Sequence, residues 1–445
     1  MRTFGLLTLG LLALSPLHAQ YGSPDRLWWD AGQGSLFPWE MDFDDPTGRI
    51  GVLNTSGAVK TTGHAFFEAL GPNGRACITC HQPSNAMSLS AAMAVKRWKE
   101  TEGKDPLFAA VDGANCPDLP QEAASSHSLL LEKGLFRIAL PWPPKKVTPE
   151  FSIEVVRDPT GCNTGRNYGL KAITPTVSIY RRPRVTANLK YLLPGPEGLT
   201  FMADGRETSL EDQAISASTG HEQAQIPTGE QLRQIVEFES QLYVAQSADW
   251  HAGLLTERDG PMVLGPVNLR DGVSGAISAA VSFSSWRGPV EDKSNTQMAF
   301  RASVARGRDV FFGRIFEPAG TTCGSCHSSG KTRWMDIGTT NHTEATADPA
   351  LPLFRVTCND SASPHPTLGR VIYTQDPGRA LISGKCADVG AIVMQQFRGL
   401  SARAPYFSNG SAATIGDVVE FYDKQYGIKF TAREREDLVN YLSVL

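Results

Sequence analysis

The chain has 445 residues, 41% of them apolar, and its 42 Lys and Arg nearly balance its 46 Asp and Glu. This balance lacks the basic excess of a protein whose main partner is nucleic acid or an anionic membrane. The length is sufficient for two or three globular domains.

The N-terminal residues have the pattern of a secretory signal peptide. A positive charge at Arg2 precedes an apolar run from about Phe4 to Leu14, and the small residue Ala19 marks the expected cleavage site. The run is too short to cross a bilayer. We therefore expect residues 1–19 to be removed near Ala19, the mature protein to be periplasmic, and no membrane span to be present.

The first half of the chain mixes helices with short strands. Residues 83–200 contain a helical piece, "AMSLSAAMAVKRW", and strand-like runs such as "LFRIALP" and "FSIEVV". A longer helix is predicted in "TGEQLRQIVEFESQLYVAQ", because Thr228 and Gln231 can form a capping box and Leu242 continues an apolar stripe. Residues 252–292 are rich in Gly and Ser, which is typical of a linker.

Helices dominate the C-terminal part of the sequence. One is predicted to begin near Asn295, and two more lie in "TIGDVVEFYDKQ" and "TAREREDLVNYLSVL". Thr431 and Glu434 can form a capping box at the start of the last helix. The pattern therefore predicts a chain that is mostly α-helical with long loops.

The motif Cys-x-x-Cys-His occurs twice, far apart in the chain. Residues three apart on a helical turn project to the same side, so both cysteines can bond the vinyl groups of one porphyrin while the histidine binds its iron. The two halves of a zinc ribbon are roughly 12–20 residues apart, whereas most of this protein separates the two motifs. We predict two covalently bound haem c groups, with half a zinc site or a reducible cysteine pair as the alternative. The motif residues are Cys77, Cys80 and His81, then Cys323, Cys326 and His327.

The remaining cysteines are Cys116, Cys162, Cys358 and Cys386. In an oxidising compartment an even remainder suggests disulfides, and four cysteines allow three pairings. Each predicted haem region contains two of the four, which favours Cys116–Cys162 and Cys358–Cys386. Both bonds would stabilise long loops, and redox-active thiols are the alternative.

Four segments carry a family resemblance: "GRACITCHQP", "FMADGRETSLEDQA", "TTCGSCH" and "FRGLSARAPYFSNGSAATIGDVVEFY". Together they resemble the bacterial di-haem cytochrome c peroxidase family in its broad sense, from about Thr61 to the C terminus and least over residues 84–180. The resemblance implies a mainly α fold of two cytochrome c-like domains with a few short strands. The N-terminal, peroxidatic domain with its insertion would cover residues 20–290, and the C-terminal, electron-transfer domain residues 291–445.

The resemblance also implies where the second iron finds its distal ligand. The family places it on the helix after Ala-Pro-Tyr-Phe, as Met in simple peroxidases. It is Tyr in a branch that resembles the enzyme maturing the tryptophylquinone cofactor of methylamine dehydrogenase. Tyr422 falls at this position, and a phenolate ligand would lower the reduction potential of the iron. The alternative is a core role for Tyr422 with Met394 or Met335 as the ligand.

For the first haem, the family's distal pocket follows Asp-Gly-Arg, which is residues 204–206 here, and Gln213 corresponds to a pocket glutamine. Where simple peroxidases have a catalytic glutamate, this sequence reads "GHEQ". We predict that His221 is the acid/base or a switchable ligand, because peroxide reduction needs a group that moves a proton. Gln213 and Gln223 would line the pocket. A surface position for His221 is the alternative, and His64 is its rival, although a structural role suits His64 better.

The sequence departs from the family between the two haems. Ala203 stands where the family has an inter-haem tryptophan, so Trp334 and Tyr406 are the substitutes considered for electron transfer, and Ser408 replaces a family histidine. The family commonly holds a calcium ion there through an Asn and backbone carbonyls. The matching positions are Asn188, Arg403 and Pro405, in a segment one residue longer than the usual pattern.

These features predict a periplasmic di-haem c-type oxidoreductase that reduces H₂O₂ at the N-terminal haem. The C-terminal haem would relay or store electrons, and the donor would be a small cytochrome c or cupredoxin. One alternative is an oxidase that uses H₂O₂ or another O₂-derived oxidant to modify a Trp or Tyr of a partner protein. The other is a non-enzymatic electron carrier with both irons six-coordinate.

Overall fold

The computed structural model describes most of the chain beyond the predicted signal peptide. The described residues are 27–192, 200–257, 259–271, 282–288, 295–317, 320–327, 333–335 (backbone), 340 and 342–445. The signal peptide and the side chains of Trp334 and Met335 lie outside them, as does part of the predicted linker.

Eleven α-helices lie in the described residues. They are α1 Cys77–Cys80, α2 Ala91–Thr101, α3 Ser128–Lys133, α4 Leu210–His221, α5 Gly229–Ser240, α6 Pro266–Arg270, α7 Thr296–Gly313, α8 Cys323–His327, α9 Ala380–Ser383, α10 Ile415–Tyr426 and α11 Ala432–Ser443. None of these is both long enough and apolar enough to pass through a bilayer.

Thirteen strands lie in the same described residues. They are β1 Leu36–Phe37, β2 Glu40–Asp44, β3 Gly48–Asn54, β4 Val59–Lys60, β5 Phe136–Pro141, β6 Phe151–Arg157, β7 Thr176–Arg181, β8 Leu242–Asp249, β9 Gly253–Leu254, β10 Arg333–Met335, β11 Leu353–Cys358, β12 Val371–Thr374 and β13 Ala391–Val393.

The prediction of a mainly α fold is wrong, because the chain is mixed α/β with several antiparallel sheets. The largest has the order β2-β3-β8-β9, another has the order β12-β11-β6, and the pairs β1-β4, β5-β7 and β10-β13 complete the set in the described chain. The strands are short, and some, such as β3, are buried at nearly every position. A short, continuously buried run lacks the alternation that identifies a strand in sequence.

The segment predicted as one long helix shows how the error arose. The capping box of Thr228 and Gln231 starts α5 as predicted, but the helix ends at Ser240. Leu242 begins β8 and pairs with Asn54 of β3, so the prediction of Leu242 on a helical stripe is wrong. The side chain of Leu242 is instead buried as part of the sheet.

Other predicted elements are confirmed. Strands β5 and β6 occupy the two strand-like runs, Asn295 caps α7, and the box of Thr431 and Glu434 starts α11. Helices α7 and α11 approach closely at Gly307, where a side chain would collide with the backbone carbonyl of Asp437. This contact closes the apolar core beside α8 and α10.

The predicted disulfides are also confirmed. Cys116 is bonded to Cys162 with Cα atoms 5.4 Å apart, and Cys358 to Cys386 with Cα atoms 5.8 Å apart. The cysteines left free are those of the two Cys-x-x-Cys-His motifs.

Candidate haem sites

The first motif places its two cysteines on a single helical turn, α1. Burial raises the pKa of the Cys77 thiol well above its ordinary value and that of Cys80 to about 12. Both side chains are therefore neutral thiols at physiological pH. Their spacing suits thioether bonds to a porphyrin.

The imidazole of His81 is oriented by a backbone carbonyl. Its Nδ1 lies 3.1 Å from the carbonyl oxygen of Met87. Because a carbonyl can only accept, Nδ1 carries the proton and Nε2 keeps a free lone pair. Burial lowers the pKa of His81 to about 4, so the ring is neutral. This arrangement, a donor nitrogen backed by a hydrogen bond, is usual for metal-bound histidines.

A cavity of about 1170 Å³ lies beside His81 and Cys80. Leu210, Gln213, Ala217 and His221 line it from α4; their helical spacing of three and four residues puts them on one face. The side-chain oxygen of Gln213 is buried and has no hydrogen-bond partner in the described part of the chain. An orphaned polar atom on a cavity wall is expected where a ligand belongs.

His221 is held by Asp112, a carboxylate that no sequence motif predicts. Its Nδ1 lies 2.5 Å from Oδ2 of Asp112, whose other oxygen is paired with the buried guanidinium of Arg75. Arg75 itself donates to the carbonyls of Pro106 (2.7 Å) and Leu107 (2.6 Å). Burial alone would raise the pKa of Asp112, but Arg75 and His221 hold it below its ordinary value. The carboxylate is therefore ionised and fixed.

Two buried carboxyl groups border the same site. Glu239 of α5 lines the cavity and is 3% exposed, and burial raises its pKa to about 8. Glu222 accepts from the Leu70 amide at 3.2 Å and lies 3.5 Å from the sulfur of Cys77, and burial raises its pKa to about 7. Glu239 belongs to no recognisable sequence motif, so only the fold shows that it borders the site.



Two other predicted residues lie outside this cavity. The side chain of Gln223 is exposed, and its carboxamide oxygen lies 3.5 Å from Nδ2 of Asn73, so the structure does not bring it to the pocket. His64 packs against Phe67 and Phe238 with ring centroids 5.4 and 5.5 Å apart. This packing matches the structural role considered for His64.

The second motif is built in the same way on α8. Cys323, Cys326 and His327 line a separate cavity of about 1680 Å³. Burial raises the pKa of Cys323 to about 11 and lowers that of His327 to about 4. The site therefore offers a neutral thiol at Cys323 and a neutral imidazole, as the first motif does.

Tyr422 of α10 lines this second cavity, together with Met394. The rings of Tyr422 and His327 have centroids 6.5 Å apart and planes at 83°. Tyr426, one helical turn further, stacks on Tyr422 with centroids 6.2 Å apart and planes at 8°. Tyr422 and Met394 thus both reach the cavity, and the choice between them as an iron ligand stays a prediction.

The residues predicted to hold calcium do not fit a cation. Both side-chain atoms of Asn188 are engaged, with Oδ1 accepting from the Val244 amide at 3.0 Å and Nδ2 donating to Gln396 Oε1 at 2.8 Å. The carbonyl of Arg403 accepts from the guanidinium of Arg182 at 2.7 Å. A Ca²⁺ ion on that carbonyl would lie against the positive charge of Arg182, which is unfavourable.

A short wall separates the two cavities. Arg182, Pro183, Gln395 and Gln396 line both of them. Of the two substitutes considered for the missing inter-haem tryptophan, Tyr406 lines the second cavity. The shared wall therefore contains a guanidinium and two carboxamides among its described side chains.

Comparisons with known proteins find distant similarity to solved structures. No family model matches the chain, and no curated protein matches it. Among solved structures, a MauG-like protein associated with microbial copper homeostasis is similar at 17% identity, with a TM-score of 0.30, over 60% of this chain and 74% of that one. A structural similarity this low carries no argument about function.

Proposed function

We propose that this protein is a periplasmic di-haem c-type oxidoreductase with peroxidase-like activity. H₂O₂ would be reduced at the His81 site, with electrons relayed or stored at the His327 site. The observation that carries the proposal is the first cavity, where His81 and the Gln213 and His221 side chains of α4 meet. A metal ligand and a fixed proton-transfer group on one cavity are the two components that peroxide reduction requires.

The residues present fit a covalent haem at each site. Each motif sets two cysteines on one turn and a neutral, half-buried histidine beside them. Each motif borders its own cavity, so a cofactor in either one would lie against the histidine and at least one cysteine of that motif. A bound haem would supply the iron centre that exchanges electrons with peroxide.

His221 would move the proton. Its Nδ1–H donates to the Asp112 carboxylate, so Nε2 is left to take a proton from the bound peroxide and return it to the departing oxygen. Asp112 keeps this tautomer and stabilises the imidazolium when it forms, as the carboxylate of a catalytic triad does. Gln213 would orient the peroxide. The balance is H₂O₂ with two electrons and two protons giving two waters, the electrons coming from a small cytochrome c or cupredoxin.

Peroxide turnover by the purified holoprotein tests the proposal. His221→Ala should lower kcat/KM for H₂O₂ by about 10²–10⁴-fold, the usual contribution of a general acid–base group. Asp112→Asn should lower it less and change the pH profile. The matched control is Gln223→Leu, two residues away but exposed, which should leave turnover unchanged. Equal activity in the His221→Ala and wild-type proteins would refute the role of His221.

One observation favours a second candidate function. Because His221 lines the same cavity as His81, its imidazole could bind the iron directly, which would make the protein an electron carrier. EPR of the ferric protein beside a Tyr422→Phe variant separates the two. A high-spin signal indicates an open, catalytic iron, and two low-spin signals indicate a carrier or a peroxidase that needs prior reduction. A change in one low-spin signal in the variant would support Tyr422 as a ligand.

Tyr422 lines the same cavity as His327, which also favours a second enzymatic function, the oxidation of a partner protein. A tyrosinate ligand stabilises oxidised iron, which suits the removal of electrons from a Trp or Tyr side chain. Mass spectrometry of periplasmic proteins incubated with the holoprotein and H₂O₂ tests this, with Tyr422→Phe as the comparison. Modification that persists at the same rate in the variant would remove the argument.

A further inference from the structure

The end of β7 and the residues after it carry three arginines that differ in how their charge is balanced. Arg181 forms ion pairs with Asp204 and Asp376, each at 2.6 Å. Arg182 and Arg184 have no carboxylate partner in the described part of the chain, and their printed hydrogen bonds all go to backbone carbonyls. Two positive charges, one buried and one half-buried, thus form no ion pair with a described carboxylate.

Arg182 is held rigidly despite this. Its guanidinium donates to the carbonyls of Leu89 at 2.6 Å, Arg403 at 2.7 Å and Lys133 at 3.2 Å, and the residue is 7% exposed. Gly134, with a positive φ of 64°, leaves the space that the guanidinium fills, since a side chain there would collide with it. The fold therefore fixes this charge in place, although carbonyl dipoles compensate it only in part.

Arg403 is a third such residue, contributed by the segment before α10. It is 8% exposed and donates to the carbonyls of Gln396 and Arg398. Burial lowers its pKa to about 10, and burial together with the Arg403 charge lowers the pKa of Arg182 to about 9 and of Arg184 to about 10. The Arg403 guanidinium therefore repels both Arg182 and Arg184.

The three arginines Arg182, Arg184 and Arg403 line different cavities. Arg182 lines both cavities, Arg184 lines the first and Arg403 the second. No Asp or Glu is among the described residues lining the second cavity. In the first, Asp112 is already paired and Glu239 is uncharged at neutral pH because of its raised pKa. Each cavity thus has two arginines without an ion-paired carboxylate on its lining, one of them the shared Arg182, which predicts an anionic occupant.

We propose that Arg182, Arg184 and Arg403 form a buried anion-binding partition that pairs with carboxylate groups of the molecules held in the two cavities, with Arg182 shared between them. The inference rests on the proposed function, in which those carboxylates are the propionate side chains of the two haems. Arginine suits this role because its planar donors match a carboxylate. The shared guanidinium would act electrostatically on both irons, where the sequence lacks an inter-haem tryptophan.

The partition predicts a distinct redox response for each arginine. A nearby positive charge disfavours oxidised iron, so its removal lowers the reduction potential. Arg182→Gln should lower the potentials of both haems, Arg184→Gln only that of the His81 haem, and Arg403→Gln only that of the His327 haem. We expect at least a tenfold change in each affected redox ratio, which is about 59 mV for one electron. Spectroelectrochemical titration measures this, with the two haems distinguished by their EPR signals.

Two control variants accompany these three. Arg182→Lys keeps the charge and should keep both potentials near those of the wild type, which separates the effect of charge from that of packing. Arg233→Gln removes an exposed arginine paired with Glu230 and should shift neither potential. Circular dichroism and haem content confirm that each variant is folded and loaded.

Failure of this inference differs from failure of the proposed function. If the protein carries two covalent haems and Arg182→Gln shifts one potential or neither, the partition is refuted while the di-haem assignment stands. An Arg182→Lys variant that shifts both potentials as far as Arg182→Gln would also refute it. If mass spectrometry finds no covalent haem on the exported protein, both are refuted.

Discussion

Glu239 allows a quantitative prediction about stability and pH. Burial raises the pKa of this carboxyl in the folded protein from 4.5 to about 8. Between these values the folded chain holds a proton that the unfolded chain releases, so the free energy of unfolding falls as the pH rises through the window. At about 1.4 kcal/mol per pH unit, the full effect is about 5 kcal/mol. The loss of unfolding free energy is absent below about pH 4.5 and complete above about pH 8.

Glu239→Gln isolates this effect, because the amide has nearly the same shape and never ionises. The variant and the wild type should have similar stabilities at pH 5, and the variant should be more stable by several kcal/mol at pH 8. Urea denaturation of the holoprotein at several pH values, followed by circular dichroism, measures the difference. Glu237→Gln, on the same helix but exposed, is the matched control and should show little change. A Glu239→Gln difference that is the same at pH 5 and pH 8 would refute the reasoning.

Three further changes should alter stability in urea denaturation at neutral pH. Asp112→Asn leaves a buried guanidinium without its carboxylate and should lower the free energy of unfolding by about 3–5 kcal/mol; a loss below about 1 kcal/mol would contradict the buried pair. Replacing Cys116 and Cys162 with serine removes a link across 46 residues and should lower it by about 4 kcal/mol, whereas an unchanged midpoint would argue against the bond. Gly307→Ala presses a methyl group against the backbone of α11 and should lower it by about 1–3 kcal/mol. Gly220→Ala, with open space around it, is the control and should not destabilise the protein.

Patterns confined to neighbouring residues predicted the corresponding parts of the structure. The three-residue spacing of Cys77 and Cys80 gave one helical turn, and the box of Thr431 and Glu434 started α11. These features depend on hydrogen bonds and geometry within a few positions, which a single sequence contains. The helical pattern of the C-terminal part does not hold for the whole chain, because short strands form several sheets, and the predicted fold class is therefore wrong.

Features that depend on distant residues were not predictable in this way. Asp112 lies 109 positions from His221, in a segment with no motif, and only the packing of the loop onto α4 brings them together. The apolar side chain of Leu242 continues the stripe of α5 and so favours a helix in the sequence. Pairing with β3 gives Leu242 a strand conformation instead. Tertiary contacts override local preference at such positions. The buried arginines after β7 were likewise visible in the sequence, but nothing there showed which of them lacks a partner.

The sheet β12-β11-β6 has a consequence for how the chain acquires its structure. β6 hydrogen-bonds to β11, and the facing residues Glu154 and Arg355 are 201 positions apart. While the chain is being made, β6 has no strand to pair with until residues 353–358 have emerged, and contacts this far apart in sequence form slowly. A fragment that ends before β11 would expose both edges of β6, a template for pairing with other chains. The sheet that contains β6 is therefore completed only after most of the chain has been made, and this part of the N-terminal half depends on the C-terminal half.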